Sequence, residues 1–172
     1  QRQMCIRDRG WPYPPFEVPD DVIAVWRAAG RRGDAALDDW NGTVRELTGD
    51  AAETLRRLQE GALAAGVADR VAALCQELAE ARPAMATRKA SERVLNVLTQ
   101  DVPEMIGGSA DLTGSNLTLA DGMEAVSAEN YGGSHIYYGV REHGMAAAMN
   151  GMALHGGLIP YGATFLVFTD YC

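Results

Sequence analysis

Through its first half the chain sets apolar residues three and four positions apart among charges, the period of a helix with one apolar face. Pro19, Asp20 and Asp21 open such a run, in which Val22, Val25 and Trp26 share a face and which ends near Gly30. Asp34 starts the next, with Leu37 and Trp40 three apart, and Thr43 to Leu47 are expected to continue it past Gly42. Asp50 caps a third, where Leu55 and Leu58 turn inward among Arg56, Arg57, Gln59 and Glu60. A fourth runs from Val67 to Ala81 on Val71, Leu74 and Leu78. Ahead of these, Trp11 to Phe16 is rich in proline and aromatics and suits an extended segment. Apolar stripes of this kind read as core, so this half is expected to be structural.

The pattern changes at Pro83. Twelve of the nineteen glycines lie beyond it and the charges thin out, as in a parallel α/β domain whose turns carry function. Thr87 to Gln100 reads as a helix with Val94, Leu95 and Leu98 inward, Met105 to Ser109 as a short buried strand, and Thr113 to Gly133 as a long polar loop. Ile136 to Tyr138 is the second predicted strand, Glu142 to Leu154 the next helix, Leu158 to Tyr161 the third strand, and Phe165 to Tyr171 the start of another helix. The predicted fold class is α/β, a helical linker segment followed by part of a doubly wound, mainly parallel sheet, incomplete. Residues 1–10 show neither period and are expected to be foreign to the rest; the chain is expected to be a fragment.

Charge and cysteine usage narrow the partners. A formal net charge of −8 over 172 residues, with no basic stripe, argues against nucleic acid and against an anionic membrane surface. Cys5, Cys75 and Cys172 form no CxxC pair, so neither a disulfide framework nor a zinc site is expected, and a reducing cytoplasm fits best. No apolar run approaches the length that crosses a bilayer.

The densest candidate chemistry lies in Tyr138-Gly139-Val140-Arg141-Glu142-His143-Gly144-Met145. A strand-to-helix junction aims unpaired N–H groups and the positive end of the helix dipole at one place, so Glu142 is either an acid–base group there or an ordinary first-turn glutamate. Phe165, Phe168 and Tyr171 recur at i, i+3 and i+6 and form one aromatic stripe, either core or the wall of a site. Asp111 falls just past a strand end, where α/β proteins place ligands, or else caps its own loop.

Taken in order, Ile106-Gly107-Gly108-Ser109-Ala110-Asp111-Leu112-Thr113, the Glu142 stretch, and Pro160-Tyr161-Gly162-Ala163-Thr164-Phe165 resemble the pyrimidine-binding domain of transketolases, which use thiamine diphosphate. The resemblance implies that residues 11–82 are the helical tail and linker of a diphosphate-binding domain and that 83–172 begin the pyrimidine-binding domain. Glu142 then matches the glutamate that shares a proton with N1′ of the cofactor's aminopyrimidine. Phe168 matches the aromatic that stacks on that ring, with Phe165 and Tyr171 walling the pocket, and Asp111 lies close to the cofactor near a subunit boundary. Arg88 and Ser115 match the arginine and serine that hold the sugar's terminal phosphate, a dianion suited to a guanidinium fork and a hydroxyl, unless Arg88 is a solvated helix arginine. Gly114 stands where many relatives have proline.

The family's Gly-Asp-Gly motif and downstream Asn, which bind diphosphate and Mg²⁺, do not occur here, so those ligands are expected on an upstream domain and no metal ligand is assigned in this chain. The implied parent is a cytoplasmic homodimer of the pentose phosphate pathway, with its site at the subunit interface, moving a two-carbon ketol unit between phosphorylated ketose and aldose sugars. The piece alone is expected to be inactive. A dihydroxyacetone synthase-like ketol transferase and a non-catalytic α/β binding module derived from such an enzyme are the alternatives.

Overall fold

The computed structural model describes residues 8–172, so the expectation for residues 1–10 falls largely outside the described residues. The chain divides into two compact units, one up to Ala52 and one from Glu53 onward.

The first unit holds α1 (Asp20–Arg31), α2 (Asp34–Glu46) and the start of α3 (Gly49–Glu60). Pro19 precedes α1 in extended backbone (φ −61°, ψ 149°), and Asp20 and Asp21 at its start with Arg31 at its end complement the helix dipole. The second helix passes Gly42 unbroken, as the sequence predicts. The expected core does not form here: no residue of α1 or α2 is buried, and Val25, Trp26, Leu37 and Trp40 are all exposed. A stripe buries itself only if something faces it, and each of these short helices presents one stripe that nothing among the described residues of the unit covers.

The second unit has the core. Within it, α4 (Val67–Ala81) and α5 (Thr87–Asp101) pack together, and Val67, Leu95, Val102, Met105 and Ala120 form a buried cluster joined by Val71, Leu98, Met123 and Tyr161. Leu95 and Leu98 point inward as expected, but Val94 is 38% exposed, because it sits one residue round the helix from that face. The end of α3 is tied on by Arg57, whose guanidinium grips both oxygens of the nearly buried Glu104, Nη2 donating to Oε2 at 3.1 Å.

Three parallel strands, β1 (Met105–Ser109), β2 (His135–Tyr137) and β3 (Ile159–Ala163), lie in the order β2-β1-β3. Parallel pairing and the α/β class agree with the sequence reading. The central strand needs its glycines: a Cβ at Gly107 would strike the carbonyl and ring of Tyr161, and one at Gly108 the carbonyl of Ile136.

Between β1 and β2 the expected polar loop is more ordered than predicted. It holds a one-turn helix, α6 (Thr113–Asn116), closed by Leu117 in the left-handed region (φ 57°), and a bridge from Ala125 to His135. The next helix, α7 (Glu142–His155), buries Glu142 and Met145. The last element, predicted as an α-helix, is a 3₁₀ helix over Leu166–Tyr171.

Candidate functional site

Because the strands are parallel, Ser109, Tyr137 and Ala163 end at one edge of the sheet, and the segments leaving them carry the candidate residues together. Behind β1 comes Asp111, behind β2 the turn into Glu142, and behind β3 Thr164 and Phe165.

Glu142 is 5% exposed at the first position of α7. Arg141 precedes it with non-helical backbone and no side-chain cap, so the first N–H groups of the helix and its positive dipole end lie next to the carboxylate. Thr164 Oγ1 donates to Glu142 Oε1 at 3.4 Å, a long bond that leaves the carboxylate further acceptor capacity.

The aromatic stripe follows from the 3₁₀ geometry, in which residues three apart eclipse. Phe165 and Phe168 stack with centroids 6.2 Å apart and planes 20° apart, and Phe168 and Tyr171 lie 6.1 Å apart at 42°. Phe168 is half-buried while Phe165 and Tyr171 are exposed, so the row is a wall and not core. The 3₁₀ helix that carries the row packs against α7, and the Tyr171 phenol is held above its ordinary pKa by desolvation and then by the charge of Glu142. A flat ring with a hydrogen-bonding edge fits this donor set: ring faces on one side, a shielded carboxylate with free lone pairs on the other.

Next to it opens a cleft of about 470 Å³ that brings Arg88, Ser115 and Phe165 together, along with Ser91, Asn116 and Thr164. Arg88 is exposed and enters none of the ion pairs among the described residues. The sequence reading missed Ser91, Asn116 and Thr164. Signals for two of them were present: Ser91 lies three residues after Arg88 on one helix face, and Thr164 directly follows a strand end.

Asp111 is exposed and left-handed at φ 59°, its N–H donating to Ser109 O at 3.0 Å. Aspartate tolerates that region better than most residues, and strained backbone of this kind gathers at functional sites. No side-chain hydrogen bond of Asp111 is present among the described residues. Beneath the site, His135 is fully buried; its Nε2 lies 3.4 Å from Thr113 Oγ1, its Nδ1 has no partner, and burial lowers its pKa. Among the described residues no group of three or more His, Cys, Asp or Glu is placed to hold a metal ion.

Comparison with known proteins gives a consistent result. Residues 83–172 match the family model "Transketolase, pyrimidine binding domain". The chain is 48% identical over 170 residues to a transketolase of Cereibacter sphaeroides, covering 98% of this chain and 25% of that protein. It is likewise 48% identical over 162 residues to one of Rhodobacter capsulatus, covering 94% of this chain and 24% of the relative. It therefore spans about a quarter of the length of the curated relatives it matches. Among solved structures, a transketolase from Leishmania mexicana superposes with TM-score 0.76 at 36% identity, covering 94% of this chain and 24% of that one. A transketolase from Pichia stipitis in complex with sedoheptulose-7-phosphate superposes at 0.78 and 35% identity, covering 94% and 25%.

Proposed function

The chain belongs to the transketolase family, and from that premise we propose that it supplies the pyrimidine-side half of a thiamine-diphosphate site and the phosphate end of a sugar site in a ketol transferase. The observation that carries this reading is the buried Glu142 carboxylate, bonded only loosely by Thr164, beside the aromatic row at the carboxyl ends of parallel strands.

When bound, thiamine diphosphate supplies the carbon that takes up the two-carbon unit. Glu142 holds a proton between its carboxyl group and N1′ of the pyrimidine, and Phe168, flanked by Phe165 and Tyr171, gives the ring an apolar face. Excluding water there strengthens the bond Glu142 makes. Asp111 contributes from the end of β1, near the subunit boundary of a homodimer. Arg88 and Ser115 hold the terminal phosphate of ketose and aldose substrates by a charge-assisted fork and a hydroxyl. The bound sugar phosphate of the Pichia stipitis protein supports that substrate class.

Diphosphate and Mg²⁺ are assigned to residues outside this chain, and the isolated chain is therefore inactive. Residues 11–82 are read as the tail and linker of the diphosphate-binding domain, 83–172 as the start of the pyrimidine-binding domain. The relatives reported are named transketolases, which favours that enzyme over a dihydroxyacetone synthase or a non-catalytic module. A cytoplasmic place in the pentose phosphate pathway follows from this reading; among the described residues no helix is long and apolar enough to cross a membrane.

In a full-length transketolase carrying this segment, Glu142→Gln is nearly isosteric and should leave fold and assembly intact while cutting turnover by about 10²–10⁴-fold, the usual loss for a positioned acid–base group. Wild-type turnover in a ketol-transfer assay would remove Glu142 from the chemistry.

A further inference from the structure

Ser109 ends β1 and is completely shielded from solvent. Its hydroxyl donates to the Ala163 carbonyl at the end of β3, 2.9 Å away, and accepts from Asn116 Nδ2 in α6 at 3.2 Å. The strands have no need of this: Ala163 O already accepts from Ala110 N at 3.1 Å. A buried hydroxyl costs stability unless it is bonded, and here both its donor and an acceptor site are used. The Ser109 carbonyl in turn accepts from Asp111 N at 3.0 Å and from Tyr138 N at 3.3 Å, the latter on the way to Glu142. One residue thus ties the four segments that surround the site.

Its two hydroxyl partners both line the cleft that holds Arg88: Asn116 beside Ser115, and Ala163 before Thr164 and Phe165. A single helical turn has almost no stability of its own, so bonds from outside must set where α6 sits. Two others come from beneath: His135 to Thr113, and Tyr161 Oη, which donates to Thr118 O at 2.9 Å. Among the described residues, the Asn116–Ser109–Ala163 bridge is the side-chain hydrogen-bonded link from α6 to the end of β3.

We propose that Ser109 is a positioning residue for phosphate recognition: its hydroxyl sets the spacing of the cleft between Ser115 and the Thr164–Phe165 segment, so that the Ser115 hydroxyl and the Arg88 guanidinium converge on one phosphate group. This rests on the phosphate reading of Arg88 and Ser115 above. Ser109 touches no substrate, and loss of its hydroxyl, which leaves the backbone bonds from Asp111 and Tyr138 to its carbonyl in place, acts first on the phosphorylated end of the sugar.

Steady-state kinetics on a full-length transketolase carrying this segment, with one phosphorylated and one unphosphorylated ketose donor, tests this. Ser109→Ala should raise KM for the phosphorylated sugar and the inhibition constant of inorganic phosphate by about five- to tenfold, leaving kcat and the unphosphorylated KM within about twofold, the scale of one net hydrogen bond. Asn116→Ala, half-buried and so tolerant of change, should raise the phosphorylated KM similarly, and the double variant should be no worse than the weaker single, since both remove one bridge. Equal losses on both sugars, or additive effects, would overturn the positioning role. Arg88→Ala run alongside separates the two claims. A phosphate-selective KM rise there with none for Ser109→Ala sinks the positioning role alone, and no such rise for either variant sinks the phosphate reading with it.

Discussion

In α1 and α2, Trp26 and Trp40 stand 75% and 51% exposed on faces that the sequence marks as apolar; in β1, Ser109 and two glycines are buried although none of the three carries a large apolar side chain. The hydrophobic period fixes which face of an element avoids water, but not what will cover it. In the unit after Glu53 the covering elements belong to the same unit, and the close approach of strands and helix at Gly107, Gly108 and Gly162 leaves no spare volume. In the unit before Ala52 the described residues leave the apolar faces open, and glycines such as Gly30 and Gly42 meet nothing within 4 Å.

A glycine-to-alanine substitution should act in opposite directions in the two units. Gly108→Ala drives a methyl group into the Ile136 carbonyl and should destabilise the sheet by about 1–3 kcal/mol or more, as overpacking does; an unchanged urea midpoint would show that β1 and β2 have room to part. A smaller effect is expected from acid. Hydrogen bonding from Arg57 holds the Glu104 carboxyl below its ordinary pKa in spite of burial. A carboxylate whose folded pKa lies below its unfolded one stabilises the fold above the unfolded value and loses that contribution as pH falls through the folded one. Stability of the second unit should therefore drop below the ordinary glutamate range, and Glu104→Gln should flatten that part of the pH profile; the same slope in wild type and variant would acquit the pair. Smallest of all, Gly42→Ala inside α2 should stabilise by about 0.5–1 kcal/mol, opposite in sign to Gly108→Ala. Slower amide exchange along α2 reads it, and faster exchange would mean that the glycine has a packing role.

Most of the architecture was legible in the sequence, for identifiable reasons. The strands, the helix from Glu142 and the parallel pairing follow from glycine-bounded apolar runs alternating with helical periods. Helix α6 was not legible, because Thr113-Gly114-Ser115-Asn116 has no apolar period and depends on side-chain bonds to Ser109, at the end of β1, and to His135, 22 residues from Thr113 on β2. Nor was the 3₁₀ form of Leu166–Tyr171: the i, i+3, i+6 spacing of Phe165, Phe168 and Tyr171 suits both helix types, and only the stacked rings separate them. Of the site, Glu142 and the aromatics stood out as junction and stripe, whereas Arg88 and Ser115 entered through family resemblance and share a cleft only because α5 and α6 bring them there. Thr164 and Ser109 make their bonds through single hydroxyls, which leave no periodic trace.

Under the proposed function Glu142 is a proton-holding group and not a helix-start residue. The most direct measurement is the exchange of the cofactor's C2 proton with D₂O, read by NMR after quenching, in a full-length transketolase carrying this segment, loaded with thiamine diphosphate and given no sugar. Glu142→Gln should slow that exchange by about 10²–10⁴-fold relative to wild type while binding cofactor and assembling normally. Exchange at the wild-type rate in the variant would rule out that role and leave the buried carboxylate with no part in the chemistry.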